Sequence, residues 1–201
     1  MPRDPQFYRH LILWAWGAWA LYWLISSIGN KPTQRREPLG SRLAHVLPLL
    51  IGGVLLGVRE LPWAAVLGTR LWPRSFLIYC VGFAILIAGL AFAVWARVHL
   101  GRNWSGAVTV KEDHELIRTG PYGYVRHPIY TGILAAVIGT AICSGTLRAV
   151  LGLVIIAAAL LRKLRKEEEF MREVFPGQYQ KYCEEVPALI PFARPRRSPA
   201  G

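Results

Sequence analysis

The sequence predicts an all-α integral membrane protein with about five transmembrane helices, organised as one domain over residues 1–201. Hydrophobic residues make up 53% of the chain and charged residues only 18%, which is a more apolar composition than soluble domains usually have. The apolar residues are concentrated in five long runs, and basic residues lie beside those runs. Long apolar runs with basic flanks are typical of helices that cross a bilayer.

The five predicted spans cover about residues 10–28, 43–58, 75–98, 128–145 and 146–165. The first run is rich in tryptophan, and at 1.5 Å per residue it is nearly long enough for a hydrocarbon core of about 30 Å. The second run is shorter and contains Gly52, Gly53 and Gly57, which favours close packing against a neighbouring helix. The third run is long enough to cross with tilt.

The fourth and fifth spans are predicted to form an antiparallel helical hairpin. Pro128 falls in the first turn of the fourth span, where a missing backbone N–H costs nothing. The tripeptide Ser144-Gly145-Thr146 supplies a tight turn, and the fifth span continues as a charged helix over residues 162–175 until Pro176-Gly177 ends it. The tail from Ala193 is basic and proline-rich, so we expect it to be disordered.

The chain has a net charge of +12. Because the basic residues flank apolar runs, we interpret them as contacts with anionic lipid headgroups and not with nucleic acid. With five spans, and with the basic residues near the span ends counted in the adjoining segments, the segments on one side carry 4, 5 and 9 lysines and arginines, and those on the other carry 2, 3 and 1. The positive-inside rule then places the N-terminus outside, and the long connection and the C-terminus in the cytoplasm. The membrane is interpreted as a bacterial inner membrane.

Two kinds of feature are not predicted. The first apolar run is too long for the core of a cleavable signal peptide and lacks an evident cleavage site. The three cysteines, Cys80, Cys143 and Cys183, are far apart and have no metal-ligand spacing. We therefore expect neither a metal site nor a disulfide framework.

Two polar regions stand out between and after the apolar runs. Residues 114–132, HELIRTGPYGYVRHPIYTG, contain two histidines, two arginines and three tyrosines. Residues 165–182, RKEEEFMREVFPGQYQKY, follow the last apolar run. Polar side chains cost stability at a membrane boundary, so their density here indicates function. Both regions fall on the predicted cytoplasmic side, where they can meet.

The order of these motifs resembles that of the isoprenylcysteine carboxyl methyltransferases and the related phospholipid methyltransferases, integral-membrane enzymes that use S-adenosylmethionine. The matching pieces are His114-Glu115-Leu116-Ile117, Gly120-Pro121-Tyr122, Arg126-His127-Pro128-Ile129-Tyr130-Thr131-Gly132, Glu167-Glu168, Phe175-Pro176-Gly177-Gln178-Tyr179 and Val186-Pro187-Ala188-Leu189-Ile190-Pro191. The resemblance extends over residues 97–192. Each piece alone is weak, and their order and spacing together are specific.

The resemblance implies a cofactor region formed by residues 99–132 and 162–192, with S-adenosylmethionine as methyl donor and S-adenosylhomocysteine as product. The implied cofactor contacts are His114, Leu116, Ile117, Tyr122, His127, Pro128, Tyr130 and Glu167. It also implies a substrate contact four residues before the cofactor glutamate, where the family has arginine and this chain has Lys163. Lysine lacks the planar fork that holds a carboxylate at two points. A second departure is Pro176, inserted after the phenylalanine.

The chemistry of a sulfonium donor agrees with these residue types. An aromatic face of Tyr122 or Tyr130 attracts a sulfonium, and His127 precedes a helix N-terminus, where backbone N–H groups favour a carboxylate. The carboxylate of Glu167 suits ribose hydroxyls or an ammonium group. Taken singly, each residue also has a structural interpretation: tyrosines in an interfacial belt, Arg126 reaching to lipid phosphate, and Glu167 in pairs along its helix.

The predicted reaction is direct methyl transfer to a lipophilic or lipidated acceptor that enters from the bilayer. A prenylcysteine-like carboxylate, a phospholipid or small amine, and a thiol all remain as acceptors at this point. Arg126 and Lys163 are the candidate substrate contacts, and Glu168 is the candidate proton acceptor for an amine. The competing hypothesis is a membrane scaffold or transporter, although the five runs lack the acidic residues that a coupled transporter needs.

Overall fold

The computed structural model describes residues 5–28, 39–58, 65–101 and 116–193. Its α-helices in these ranges are α1 (Pro5–Ser26), α2 (Leu39–Gly57), α3 (Phe76–Leu100), α4 (Pro128–Ser144), α5 (Leu147–Val174) and α6 (Gln178–Glu185). Short 3-10 turns cover Ala65–Gly68 and Gly120–Gly123. Within the described ranges, strand-like pairing is limited to one bridge between Arg70 and Thr146. The predicted all-α class is therefore confirmed for these ranges.

The five predicted spans correspond to α1 to α5, with ends shifted by a few residues. Among the described residues, one helix, α3, is long and apolar enough to cross a membrane, whereas α4 and the Leu43–Gly57 part of α2 are apolar but shorter. The helix α1 is long but carries many tryptophans, whose indole rings are amphipathic, and the second half of α5 is charged. Five membrane crossings therefore stay a prediction.

Glycines bring the backbones of α3 and α4 into direct contact. A Cβ atom added at Gly89 would lie 2.5 Å from the carbonyl oxygen of Gly132, and one added at Gly139 would lie 2.4 Å from that of Gly82. The two glycines of each helix are seven residues apart, so both face the same neighbour. Small residues at this spacing permit close packing of antiparallel helices without a hydrophobic driving force.

The predicted close packing of α2 is confirmed at one glycine only. A Cβ atom added at Gly52 would lie 2.5 Å from Cγ1 of Ile156 and 2.9 Å from the carbonyl oxygen of Gly152, both on α5. Gly53 and Gly57 have no atom within 4 Å of such a Cβ, and both line a cavity. The sequence showed three glycines but not which face of α2 each one occupies.

The predicted hairpin of α4 and α5 is present. Gly145 ends α4 with a φ of +62°, a left-handed conformation that glycine adopts without strain, and its N–H donates to Ala141 at 2.9 Å. The helix α1 runs parallel to α3, because Tyr79 donates to the Tyr8 carbonyl near their starts and Arg97 donates to the Ser26 carbonyl near their ends. The end of α3, the start of α4 and the end of α5 therefore lie at the same end of the bundle.

A short helix that the sequence analysis did not predict, α6, follows the expected stop at Pro176-Gly177. Gly177 has a φ of +74° and precedes the first residue of α6. The buried side chains of this region are Tyr179, Tyr182, Cys183 and Val186, and they pack against Leu116, Met171 and Phe175. Their spacing of three, four and seven residues is the pattern of an amphipathic helix, so the signal was present in the sequence. The tail from residue 194 lies outside the described residues.

Candidate active site at the α4 and α5 junction

The start of α4 is held by the C-terminal segment that follows α6. Pro128 occupies the first turn, as predicted, and His127 is the residue before it. The N–H groups of Arg126 and His127 donate to the carbonyls of Pro187 and Ala188 at 2.9 and 3.0 Å. Thr131 adds a hydroxyl donor to the Leu189 carbonyl at 2.7 Å. These bonds fasten residues 187–189 to the start of α4.

Arg126 joins three segments through its guanidinium group. Its Nε and Nη2 atoms donate to Oε1 of Glu168 at 2.9 and 2.5 Å, and its Nη1 donates to the carbonyls of Cys183 and Val186. The side chains of Arg126 and Glu168 are only 9% and 11% exposed. The other oxygen of Glu168, Oε2, lies 3.4 Å from Nη2 of Arg172. A substrate contact of Arg126 stays a prediction, and this set of bonds favours a structural role.

The electrostatics of Glu168 follow from this ion pair. Burial by itself raises the pKa of the Glu168 carboxyl group, but hydrogen bonds from His127 and Arg126 and the charge of Arg126 outweigh burial and lower the pKa to about 2. Burial alone lowers the pKa of Arg126, yet the hydrogen bond and charge of Glu168 raise it above its ordinary value. Both shifts stabilise the charged pair. A carboxylate with so low a pKa accepts a proton poorly at neutral pH.

Tyr130 and Glu167 form the second polar contact between α4 and α5. The Tyr130 hydroxyl donates to Oε1 of Glu167 at 2.6 Å, and Nζ of Lys163 lies 3.8 Å from the same oxygen. That ammonium group also lies 5.6 Å from the centroid of the Tyr130 ring, within cation–π range. The site thus combines an aromatic face, a hydroxyl, a carboxylate and an ammonium group.

His127 lies between the two glutamates. Its Nε2 is 3.3 Å from Oε1 of Glu168 and its Nδ1 is 3.7 Å from Oε2 of Glu167. The imidazole is stacked parallel to the ring of Tyr130, with centroids 5.6 Å apart and an interplanar angle of 3°. The two consecutive carboxylates of α5 therefore hold the imidazole from both sides.

The turn at Gly120–Gly123 forms the neighbouring wall. Tyr122 is 8% exposed, and its carbonyl accepts a hydrogen bond from the Tyr182 hydroxyl at 2.6 Å. Gly120 has a φ of +59°, and a Cβ atom there would lie 2.6 Å from the ring of His99. The turn therefore requires glycine at this position for both conformation and space. His99 in turn contacts the Thr119 hydroxyl at 2.9 Å.

The structure brings most of the predicted site residues together. Those at the α4 and α5 junction are Arg126, His127, Pro128, Tyr130, Lys163, Glu167 and Glu168. Ile117 and Tyr122 pack in one apolar cluster that Tyr130 borders, and Leu116 packs against the α6 cluster. His114 lies outside the described residues. In the described ranges, no group of three or more His, Cys, Asp or Glu residues is arranged to hold a metal ion.

Three residues that hold the site residues in place were not predicted from the sequence. Tyr182 holds the Tyr122 carbonyl, Arg172 contacts Glu168, and Thr131 binds the C-terminal segment. Arg172 stands four residues after Glu168, a spacing that indicates a helical ion pair. No pattern in the sequence indicates the contact of Tyr182, because it joins segments 60 residues apart.

Comparison with protein families supports the resemblance. The model of the isoprenylcysteine carboxyl methyltransferase (ICMT) family matches residues 80–173. This range includes α4 and most of α3 and α5, and with them both residues of the Tyr130–Glu167 contact.

Individual relatives agree with the family match. A protein-S-isoprenylcysteine O-methyltransferase B of Arabidopsis thaliana is 26% identical over 151 residues, which cover 74% of this chain and 74% of the relative. The protein-S-isoprenylcysteine O-methyltransferase of Saccharomyces cerevisiae is 33% identical over 118 residues, which cover 56% of this chain and 48% of the relative. The chain thus spans about half of the yeast relative.

The fold is similar to that of a solved membrane enzyme. A structure of the eukaryotic intramembrane Ras methyltransferase ICMT aligns with a TM-score of 0.52 and 21% sequence identity. The alignment covers 79% of this chain and 55% of that chain. The likeness shows a shared fold, and the other protein contains a large part with no counterpart here.

Proposed function

We propose that the chain is a member of an isoprenylcysteine carboxyl methyltransferase-like family of membrane methyltransferases, and that it methylates the carboxylate of a lipophilic, prenylcysteine-like acceptor. The observation that carries this proposal is the contact of Tyr130 with Glu167 at 2.6 Å, beside Lys163 and His127. It unites the two polar regions whose motifs match the family, at one end of a bundle of apolar helices.

The described residues fit S-adenosylmethionine, which supplies an electrophilic methyl group on a sulfonium when it is bound. Glu167 is half-buried and offers carboxylate oxygens to ribose hydroxyls or to the ammonium group. The Tyr130 ring offers a π face to the sulfonium. His127, next to the N-terminus of α4, stands where a carboxylate is favoured. Ile117 and Tyr122 supply apolar surface for the adenine.

Lys163 is proposed to bind the acceptor carboxylate. Its ammonium group lies beside Glu167 and over the Tyr130 ring. A carboxylate bound to this ammonium group would therefore lie next to the proposed position of the sulfonium methyl group. The carboxylate oxygen bonds to the methyl carbon as the carbon–sulfur bond breaks, and the bonding pair stays on sulfur. No proton is transferred, so orientation and exclusion of water supply the acceleration.

Glu168 is proposed to position His127 and Arg126. The low pKa of its carboxyl group makes it a poor base, which disfavours an amine acceptor that must lose a proton during methylation. The protein is proposed to lie in a membrane with the N-terminus outside and this site on the cytoplasmic side, in accordance with the distribution of basic residues.

Binding of S-adenosylhomocysteine to the detergent-purified protein tests the cofactor site. We expect measurable heat of binding, and an affinity at least tenfold weaker in Glu167→Gln. Glu173→Gln is the matched control, because Glu173 is an exposed carboxylate on the same helix. Equal weakening by both variants would contradict the assignment of Glu167.

Methyl transfer from the labelled cofactor tests the acceptor. The panel contains a prenylated cysteine with a free carboxylate, the same compound as its amide, a long-chain amine and a long-chain thiol. We expect label in the carboxylate compound only. Label in the amine or the thiol would reassign the acceptor, and a protein that binds no cofactor and labels no compound would support a scaffold or transporter instead.

A further inference from the structure

A cavity of about 890 Å³ opens between the helices, toward the end of the bundle opposite Glu168. Its walls come from α1, α2, α4, α5, the start of α3 and the segment before α3, with Ile12, Leu49, Val137 and Ile156 as representative lining residues. The side chains that form the hydrogen bonds and ion pairs of Glu167 and Glu168 described above do not line this cavity, and Tyr130 packs against the cluster of Val137, Ile156 and Leu160 at its inner end. Its volume lies within the range of sites that bind small organic molecules.

The cavity has the depth and lining for one hydrocarbon chain. It follows α4 from Ile133 to Ser144, a length of about 17 Å at 1.5 Å per residue, which is about half of a bilayer core of about 30 Å. Two polar groups of its wall are paired, because Trp16 Nε1 donates to Thr140 Oγ1 at 3.1 Å and Thr140 Oγ1 donates to the Ala136 carbonyl at 2.8 Å. Its other lining residues are mostly apolar. The wall therefore offers mainly apolar surface.

The outer end of the cavity is cationic. The arginines that line it are Arg9, Arg70, Arg74 and Arg148. Arg148 lies about 30 Å from Glu168 along α5, and its Nη1 donates to the carbonyls of Leu55 and Val58 at the end of α2. Burial lowers the pKa of Arg70, and the neighbouring charge of Arg74 lowers it further. This end therefore attracts an anion.

Hydrogen bonds fix the segment that carries Arg70. The N–H of Leu71 donates to the Gly145 carbonyl at 2.8 Å, and the N–H of Leu147 donates to the Thr69 carbonyl at 2.9 Å. Trp72 Nε1 donates to the carbonyl of Ile142 at 2.9 Å. Because this rim is attached to the turn between α4 and α5, a ligand meets positions that are already ordered, which reduces the entropic cost of binding.

We infer that this cavity binds one membrane lipid with an anionic phosphate headgroup, with an acyl chain between the helices and the phosphate at the arginine cluster. Charge complementarity selects this occupant over the tail of a methyl acceptor. An acceptor that reacts beside Glu167 would place the apolar end of its tail at the arginines. The inference does not depend on the proposed methyl transfer, since lipid binding is measured without cofactor.

Retention of lipid by the full-length protein in detergent tests the inference by native mass spectrometry. The probes are phosphatidylglycerol and phosphatidylcholine with identical acyl chains. We expect at least tenfold tighter retention of phosphatidylglycerol. Gly53→Leu, which places a side chain in the cavity, should lower that retention at least fivefold. Gly17→Leu is the matched control, because Gly17 also has no atom within 4 Å of an added Cβ but does not line the cavity.

The arginine cluster is tested separately by charge removal at exposed positions. Arg70→Gln with Arg74→Gln should remove the preference for phosphatidylglycerol, whereas the exposed pair Arg165→Gln with Lys181→Gln should retain it. Equal retention of the two lipids by the unmodified protein would overturn the inference. Displacement of phosphatidylglycerol by a prenylated acceptor, weakened by Gly53→Leu, would also overturn it and assign the cavity to the acceptor.

Discussion

The hydroxyl of Tyr130 on α4 donates a hydrogen bond to the carboxylate of Glu167 on α5 at 2.6 Å, although the two residues are 37 positions apart in the chain. This contact joins the two polar regions that the sequence separates by an apolar hairpin. It also sets the orientation of the carboxylate beside Lys163 and His127, so a change at Tyr130 or at Glu167 should be measurable in cofactor binding.

Tyr130→Phe should weaken the binding of S-adenosylhomocysteine about tenfold, because a hydrogen bond to a charged group contributes about 1.5–3 kcal/mol and 1.4 kcal/mol corresponds to a factor of ten. The ring and its stacking on His127 are retained. Tyr124→Phe is the control, since Tyr124 is exposed. Isothermal titration measures both variants, and unchanged affinity in Tyr130→Phe would argue against a cofactor role of Glu167 oriented by this bond.

Arg126→Ala should lower the free energy of unfolding by about 3 kcal/mol, because it leaves Glu168 charged and buried without its main partner. Arg118→Ala removes an exposed pair with Glu185, whose side chains are 39% and 60% exposed, and should cost less than about 1 kcal/mol. Unfolding in detergent with a chemical denaturant measures both. Similar losses in the two variants would show that Arg126 does not fasten the C-terminal segment.

Acidification should destabilise the protein through Glu168. Its carboxyl group has a pKa lowered from 4.5 to about 2 in the fold, so its contribution to stability is complete above about pH 4.5 and is lost as the pH falls from there toward 2. Thermal unfolding between pH 6 and pH 2.5 should show a loss in the unmodified protein that is smaller in Glu168→Gln. Parallel curves for the two proteins would contradict this assignment.

Lys163→Arg should lower the KM for a carboxylate acceptor several-fold while the affinity for S-adenosylhomocysteine stays unchanged, because a guanidinium group binds a carboxylate at two points. Arg165→Lys, at an exposed position two residues away, should change neither quantity. Steady-state kinetics with a prenylated cysteine measure the effect. A change in cofactor affinity without a change in KM would show that Lys163 contacts the cofactor and not the acceptor.

Helix positions were largely predictable because apolar runs and turn residues act locally. Pro128 begins α4 and Gly145 ends it, as the preferences of these two residues lead one to expect. The helix α6 was not predicted, although its apolar spacing is visible, because eight residues give too short a periodic pattern to identify a helix. The face that each glycine of α2 occupies depends on α5, so no local pattern predicts it.

The sequence named residues that meet in the fold, but it did not indicate how they pair. The motifs named Arg126 and Glu168 for the acceptor and for proton transfer, whereas the structure pairs them with each other. Pairing of this kind depends on which side chains a helix presents to its neighbour, and burial makes an unpaired charge too costly. The same fold opens a lined cavity near Arg70, which no motif indicated.

The sequence by itself determined the helical class, the order of the apolar segments and the identity of the polar residues, because these follow from periodicity, composition and spacing along the chain. Only the tertiary structure decided that Tyr130 meets Glu167, that Arg126 is bound to Glu168 and that four arginines line one end of a mainly apolar cavity. Such contacts join residues far apart in the chain, and they are selected by the close packing of whole helices.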